Sequence, residues 1–236
     1  MTGFRYELPH IEKALVLAPH PDDEALGMGG TILKLNAAGT SSRVVFLTDG
    51  ERLYGEPSHD VAEKRRAEGL KASELLGCSE PIFLGLPDGG LADCVKDICE
   101  RLTAIIVAQK PVFVFAPSPI DYHRDHIATA VAALALLKDP GSFQLAFYEV
   151  YSTLRFTHLI EITDVVDRKK ETILNYRTGL YGKPHLYVNA ALGLNAHRAL
   201  FTQEEGFYEA FCVVEKAEDA GRLLDHLSYH DLQPGG

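Results

Sequence analysis

The sequence predicts an α/β fold: a single domain built on a Rossmann-like, doubly wound and mostly parallel sheet. Short apolar runs alternate with longer stretches of helical composition up to about residue 140, an order typical of parallel strands joined by crossover helices. Polar clusters follow two of the apolar runs, at the strand ends where such sheets bind their ligands. A chain of 236 residues, 46% of them hydrophobic, can form one large domain with a well-buried core.

The first four strands and helices follow one another regularly. Each strand is a short apolar run, and the first two helices end at Gly39 and Gly77, because Gly is favoured just after the last helical turn. Asp139-Pro140-Gly141 ends the fourth helix. In order, the predicted elements are a strand at 13–19, a helix at 24–38, a strand at Arg43–Thr48, a helix at 58–76, a strand at Pro81–Leu84, a helix at 91–109, a strand at 111–116 and a helix at 126–138.

The remaining chain, 141–236, departs from this alternation, and we expect it to cover the site formed by the regular core at 13–140. Its predicted elements are strands at Gln144–Val150, His158–Ile162 and Gly206–Glu215, and helices at Asp164–Tyr176, 185–200 and Ala217–Ser228. The loop from Glu51 to Asp60 is long and polar for a connection between a strand and a helix. It would lie on the same side of the sheet as the site, so we expect it to act as a lid.

A dense polar cluster follows the first strand. Pro19-His20-Pro21-Asp22-Asp23-Glu24 places one imidazole and three carboxylates in consecutive or nearly consecutive positions. A turn that begins at His20 puts His20 and Asp23 on one face, three residues apart, and leaves Asp22 off it. Imidazole and carboxylate ligands suit zinc, and a catalytic zinc takes three protein ligands. The alternative, in which the carboxylates only cap a helix, does not explain the histidine.

A second cluster, His123-Arg124-Asp125-His126, follows the fourth strand. His123 and His126 are also three residues apart, so both can face one point, and Asp125 is close enough to orient a ring through its second nitrogen. Taken alone, this cluster is equally well explained as a solvated loop. In the common strand order 3-2-1-4-5, however, strands one and four are neighbours with a crevice between their ends. We therefore expect the two clusters to flank that crevice.

The two clusters together resemble the signature motifs of the LmbE/PIG-L family of zinc-dependent N-acetylglucosaminyl deacetylases. The resemblance covers about residues 13–215. Smaller segments similar to the family occur in the same order along the chain: Gly27-Met28-Gly29-Gly30-Thr31, Thr48-Asp49-Gly50-Glu51, Arg65 with Glu68, Leu86-Pro87-Asp88-Gly89, and Glu209-Ala210-Phe211.

The resemblance implies a hydrolase that removes the N-acetyl group from an N-acetylglucosamine-containing small molecule or glycoconjugate. It implies one zinc ion per chain, with other divalent metals as alternatives, and His20, Asp23 and His126 as its ligands. Asp22 would be the general base on the zinc-bound water. His123, oriented by Asp125, would stabilise the oxyanion and, if protonated, pass a proton to the leaving amine.

The resemblance also implies that Arg65 and Asp88 bind substrate. Arg66 beside Arg65 leaves the register of that helix ambiguous, and Asp88 is equally well explained as a turn former. Arg124 stands where the family usually has Pro, so it either adds a cation that favours an anionic substrate or points to solvent. The segment 175–179 also departs from the family pattern, which leaves the substrate contacts of the C-terminal third open.

Composition limits the partners that we expect. A net charge of -10 and a pI of about 5.4 argue against nucleic acid or anionic membrane surfaces as main partners. No apolar run approaches the roughly 20 residues of a membrane span, and the first residues lack the pattern of a signal peptide. We expect a cytoplasmic protein with a small amino-sugar substrate, and a homo-oligomer stays open. The cysteines are expected to be buried free thiols, at Cys78, Cys94, Cys99 and Cys212.

Two other classes of function stay open. A divalent-metal phosphoesterase would use a pair of metal ions and would need more ligands than His20, Asp23 and His126 supply. A non-catalytic binding protein would hold zinc without turnover, but Asp22 and His123 would then have no purpose. The sequence does not select the aglycone of the substrate.

Overall fold

The computed structural model describes residues 7–137 and 143–214. Within these residues, one sheet contains seven strands in the order β3-β2-β1-β4-β5-β7-β6. Strands β1 to β5 are parallel, and β7 pairs antiparallel with both β5 and β6. The strands are β1 Lys13–Ala18, β2 Ser41–Thr48, β3 Ser79–Leu86, β4 Phe113–Pro117, β5 Gln144–Tyr148, β6 His158–Glu161 and β7 Tyr208–Val214.

The helices lie on both faces of the sheet, which confirms the doubly wound fold. Helices α1, α2 and α5 pack together on one face, and α3 packs with α4 on the other, so the sheet is buried between two apolar layers. The helices are α1 Asp23–Ala37, α2 His59–Leu76, α3 Val95–Gln109, α4 Arg124–Leu136, α5 Val166–Asn175 and α6 Pro184–Thr202. None of them is long and apolar enough to cross a membrane.

The predicted elements agree with the structure, apart from shifts of a few residues at their ends, as expected for boundaries read from a sequence. The order of the first five strands, 3-2-1-4-5, is confirmed, and β7 and β6 extend the sheet beyond β5. A short 3-10 turn at Leu91–Cys94 precedes α3. The predicted closing helix at Ala217–Ser228 lies outside the described residues. The cysteines are free as predicted, but only Cys212 is fully buried.

The Glu209-Ala210-Phe211 segment has a structural role in this fold. Helix α1 is kinked at Met28, whose φ of -144° is not helical, and Glu209 on β7 accepts hydrogen bonds from the freed backbone N–H groups of Gly30 at 2.9 Å and Thr31 at 2.6 Å. The same carboxylate is 2.7 Å from the ammonium group of Lys169 on α5. Since both charged side chains are fully buried, this cluster fixes α1, and hence the start of the helix at the candidate site, to the rest of the fold.

Replacing Glu209 with Gln should lower the free energy of unfolding by about 3 kcal/mol, because Lys169 would be left buried without a counter-charge. Urea unfolding of the purified protein measures this quantity. The exposed Glu205 supplies a matched control, since its change to Gln should have no measurable effect. Equal stability of the Glu209 variant and the native protein would show that the ion pair does not hold α1.

Candidate active site

The two polar clusters meet at the carboxyl ends of neighbouring parallel strands, as the sequence predicts. The first lies between β1 and α1, the second lies between β4 and α4, and β1 pairs directly with β4. The ring centroid of His20 is 4.7 Å from that of His123 and 5.7 Å from that of His126. Residues more than a hundred positions apart therefore form one site.

Asp23 connects the two clusters. Its Oδ2 accepts a hydrogen bond from the backbone N–H of His20 at 2.9 Å and lies 3.2 Å from the Nδ1 of the same residue. Its Oδ1 lies 3.2 Å from the Nε2 of His126. Asp23 and His126 are fully buried. Asp23, itself a predicted ligand, thus lies between the other two predicted ligands, His20 and His126.

The chemistry of these side chains fits a metal ion. Asp23 Oδ1 and both ring nitrogens of His126 are buried and, within the described ranges, have no partner in hydrogen-bonding geometry, an arrangement that is costly unless another group satisfies them. One nitrogen each from His20, His123 and His126 also lie within 4.8 Å of one another. Nitrogen and carboxylate donors of this kind suit zinc and related divalent metals.

Asp22 is held beside this group of donors on a strained backbone. Its φ of 142° lies in a region that non-glycine residues avoid, and such strain is characteristic of functional sites. Its Oδ2 accepts a hydrogen bond from Arg65 Nη2 at 3.0 Å. Burial raises the pKa of Asp22 to about 7, although the charge of Arg65 opposes that rise. A carboxylate with a pKa near neutrality is suited to accepting and returning a proton.

Arg65, rather than Arg66, faces the site. Besides Asp22, its guanidinium donates to the backbone carbonyls of Pro21 at 2.8 Å and Gly50 at 3.2 Å. Arg66 is turned to the surface, where it binds Asp49 and lies over the ring of Phe83. Arg65 lines the cavity described below, so its contact with substrate stays a prediction. Its contacts within the protein show that it also orients Asp22.

The ring that Asp125 orients is that of His20, which differs from the predicted pairing with His123. Asp125 accepts backbone hydrogen bonds from Gly89 at 2.7 Å and Leu91 at 3.1 Å, and these turn its Oδ2 to within 3.2 Å of His20 Nε2. His123 instead accepts the backbone N–H of Asp125 at its Nδ1, as the N-cap of α4. A neutral His123 ring therefore carries its hydrogen on Nε2. Burial lowers the pKa of His123.

Asp88 lies in a turn, as one of its two predicted explanations requires, and it also lines the cavity. It lies in the turn after β3, and its Oδ1 is 3.1 Å from His20 Nε2 at the wall of the cavity. Its Oδ2 accepts the backbone N–H of Arg52 at 2.9 Å, and its own N–H donates to Glu51. Asp88 thus fixes the start of the predicted lid loop. Its contact with a sugar hydroxyl stays a prediction.

Two further acidic residues support the site: Asp121, which the sequence analysis missed, and Glu24 of the first cluster. Asp121 accepts hydrogen bonds from the backbone N–H groups of His123 and Tyr151, and its Oδ2 lies 3.3 Å from His126 Nδ1. The sequence feature that could have identified Asp121 is its position two residues before His123. Glu24 is buried under Asp22, where it accepts the backbone N–H of Asp22 and the hydroxyl of Tyr176. Burial raises the pKa of Glu24 to about 8.

A loop from the C-terminal region, at residues 177–179, lies against Asp22. Glu68 of α2 accepts the backbone N–H groups of Arg177, Thr178 and Gly179. A Cβ atom added at Gly179 would lie 2.8 Å from Asp22 Oδ2 and 3.2 Å from Arg65 Nη2. The segment 175–179, which departs from the family pattern, therefore helps to form the site.

Replacing Gly179 with Ala should lower kcat/KM by roughly tenfold to 10²-fold, because the new methyl group would displace the Asp22 carboxylate from Arg65. The control is Gly193 on α6, where an added Cβ meets no atom within 4 Å, so its change to Ala should leave kcat/KM unchanged. Steady-state kinetics on both variants measure the difference. Equal kinetics of the two variants would show that Gly179 is not needed at this contact.

The site opens into a cavity of about 610 Å³. His20, Asp22 and His123 line it, as do Arg52 and Leu53 of the predicted lid loop and residues of α6. Arg124 is exposed and does not line the cavity, so the cation that it adds faces solvent. His185 and His197, two of the histidines of the covering region, are exposed as well.

The known protein family with these motifs matches residues 15–137, under the description PIG-L: GlcNAc-PI de-N-acetylase. The chain belongs to the PIG-L family. Diacetylchitobiose deacetylase of Thermococcus kodakarensis is 28% identical over 190 residues, 71% of this chain and 70% of that protein. A 1D-myo-inositol 2-acetamido-2-deoxy-alpha-D-glucopyranoside deacetylase of Mycobacterium avium is 34% identical over 143 residues, 49% of this chain and 48% of that protein. The family and these relatives are N-deacetylases, which hydrolyse an amide bond.

Solved structures agree with membership of the PIG-L family. The conserved protein TT1542 of Thermus thermophilus is 31% identical, with a TM-score of 0.71 over 86% of this chain and 94% of that one. N,N'-diacetylchitobiose deacetylase of Pyrococcus horikoshii is 25% identical, with a TM-score of 0.73 over 86% of this chain and 84% of that one. GalB, a hydratase of Pseudomonas putida, is 26% identical, also with a TM-score of 0.73, over 86% of this chain and 96% of that one. The fold is thus shared by enzymes of different reactions, and function has to be argued from the site.

Proposed function

We propose that this protein is a zinc-dependent hydrolase that removes the N-acetyl group from an N-acetylglucosamine-containing small molecule or glycoconjugate. The observation that carries the proposal is a set of buried atoms on Asp23 and His126 that have no hydrogen-bond partner among the described residues and that lie beside a strained Asp22 at a cavity. His20, Asp23 and His126 are the proposed ligands, one zinc per chain. His123 offers a nitrogen close to those of His20 and His126, and we assign it to the substrate because it is less buried than the other two histidines.

A bound zinc ion would act as a Lewis acid on the acetamide carbonyl and on water. Asp22 accepts a proton from the attacking water as the new bond from oxygen to the carbonyl carbon forms. When the bond from carbon to nitrogen breaks, the same Asp22 returns a proton to the leaving nitrogen, which departs as the amine. Arg65 and the backbone N–H bond to Glu24 hold Asp22 in place for both transfers.

His123 serves the oxygen of the reacting carbonyl. Since its Nδ1 accepts the backbone N–H of Asp125, the neutral ring donates from Nε2. A hydrogen bond aimed at an oxygen that gains negative charge stabilises the transition state more than the ground state. Asp125 keeps His123 in this orientation through the backbone, and it orients the ring of His20 through its carboxylate.

The proposal is tested by measuring acetate and phosphate release from a panel of N-acetylglucosaminides and phosphomonoesters. We expect acetate from at least one N-acetylglucosaminide and no phosphate from any monoester. Phosphate release without acetate would support the phosphoesterase alternative instead. If the zinc-loaded protein binds the glycosides and releases neither product, it is a binding protein and the proposed reaction is wrong.

A further inference from the structure

The two sides of the cavity differ in chemistry. The side at the strand ends carries ionisable groups, among them Asp22, Arg65 and Asp88. Another part of the wall is formed by α6, which presents Leu186, Ala190 and Leu194 at intervals of four residues, together with Tyr187 and Ala191. Residues at this spacing lie on one face of a helix. The wall made by α6, here called the α6 wall, is therefore apolar.

Tyr187 supplies the only polar side chain among the described α6 residues that line the cavity. Asn195 binds Lys169 and the backbone carbonyl of Tyr208, and Arg198 forms a buried ion pair with Glu149. Among the residues that line the cavity, none of those from α6 carries a charge. The α6 wall thus offers mainly aliphatic and aromatic surface, with the hydroxyl of Tyr187 as its one polar side-chain group among the described lining residues.

Exposed aromatic side chains continue this surface around the mouth. Tyr181, which is 50% exposed, packs against Tyr54 with ring centroids 5.9 Å apart. On the other side, Tyr122 lies 5.5 Å from Tyr151, whose ring stacks on that of His126. Leu186 on the α6 wall is itself 61% exposed. Apolar surface concentrated next to a polar site indicates a place where a ligand covers it.

We propose that the α6 wall is the subsite for an apolar, aromatic or aliphatic aglycone attached to the amino sugar. The inference rests on the proposed deacetylation, since the acetamide must lie at Asp22 for the aglycone to reach the α6 wall of the same cavity. The occupant follows from the continuity of the α6 wall with the site. The group bound at the α6 wall is covalently joined to the sugar that the site binds. A second sugar would bring several hydroxyl groups, for which the described side chains of the α6 wall supply a single polar group, the hydroxyl of Tyr187.

The test measures binding, so it does not depend on turnover. Zinc-loaded Asp22→Asn protein is titrated in a calorimeter with methyl N-acetylglucosaminide, phenyl N-acetylglucosaminide and diacetylchitobiose, and both anomers of the two simple glycosides are used. In at least one anomer, the phenyl glycoside should bind roughly tenfold tighter than the methyl glycoside, because it buries a ring against apolar surface. It should also bind tighter than diacetylchitobiose.

Two leucines on the same helix give a matched pair of variants. Leu186→Ser, made in the Asp22→Asn background, should reduce the preference for phenyl over methyl to roughly threefold or less. Leu200 is 71% exposed but does not line the cavity, so Leu200→Ser should keep the full preference. Both positions are largely exposed, so neither change should affect folding.

The outcomes separate this inference from the proposed function. Equal affinity for the methyl and phenyl glycosides, or tightest binding of diacetylchitobiose, overturns the apolar subsite, whereas acetate release by the native protein still supports the deacetylase. Equal effects of the two leucine changes also overturn it. If no glycoside binds and the native protein releases no acetate, the proposed function fails and the subsite with it.

Discussion

Changing Asp22 to Asn should lower kcat for acetate release by roughly 10³-fold, the scale expected when a general base is lost. The amide has nearly the same shape as the carboxylate, so it can still accept the hydrogen bond from Arg65 Nη2 and keep the backbone turn. It cannot take a proton from water. We therefore expect native metal content, a native circular dichroism spectrum and nearly unchanged substrate affinity.

Asp49 supplies the control for this change. It is also an aspartate paired with an arginine, since its carboxylate binds Arg66 at 2.9 Å, but it does not line the cavity. Asp49→Asn should therefore keep kcat within about twofold of the native value. Full activity of the Asp22→Asn protein would show that another group accepts the proton.

Changing His126 to Ala should remove the bound metal and lower kcat/KM by roughly 10³-fold or more, since a Lewis acid contributes several kcal/mol to the transition state. His126 is fully buried, and in the described part of the chain its two nitrogens have no partner in hydrogen-bonding geometry. Metal analysis after gel filtration and steady-state kinetics measure the two effects. They should occur together.

His197 is a suitable control because it is exposed and distant from the polar clusters. His197→Ala should keep both metal content and activity. The thermal stability of the His126 variant separates loss of the ligand from loss of the fold, because native protein stripped of metal should have nearly the same midpoint as the variant. A His126→Ala protein that retains one metal per chain would remove His126 from the ligand set.

The core of the fold could be predicted because its signals are local. Apolar runs, a Gly after each of the first two helices and the regular alternation define β1 to β4 and their helices. The general rules for doubly wound sheets then place β1 beside β4. These rules predict, from the sequence alone, that His20 and His126 lie in one site.

The remaining features depend on contacts that the sequence does not encode locally. Gly179 touches Asp22 only because Glu68 holds its loop from another helix. The carboxylate of Asp125 turns to His20 because two backbone N–H groups of the loop after β3 hold it there. Neither contact follows from spacing along the chain, since each depends on how the elements pack.

The antiparallel end of the sheet shows the same limit. Strands at about the positions of β6 and β7 were predicted, but not that β7 would lie between β5 and β6. That arrangement places Glu209 beside the kink of α1. The buried ion pair between Glu209 and Lys169 therefore depends on this strand order. The Glu209-Ala210-Phe211 motif indicates that pair only once the fold is known.

The most direct test of the proposed function is acetate release by chelator-treated protein during a titration with zinc. The predicted result is negligible release without metal and recovery that rises in proportion to added zinc until one ion is bound per chain. His126→Ala protein should show no such recovery. Full acetate release by protein that contains no metal, or recovery that requires two ions per chain, would contradict the single-zinc site at His20, Asp23 and His126.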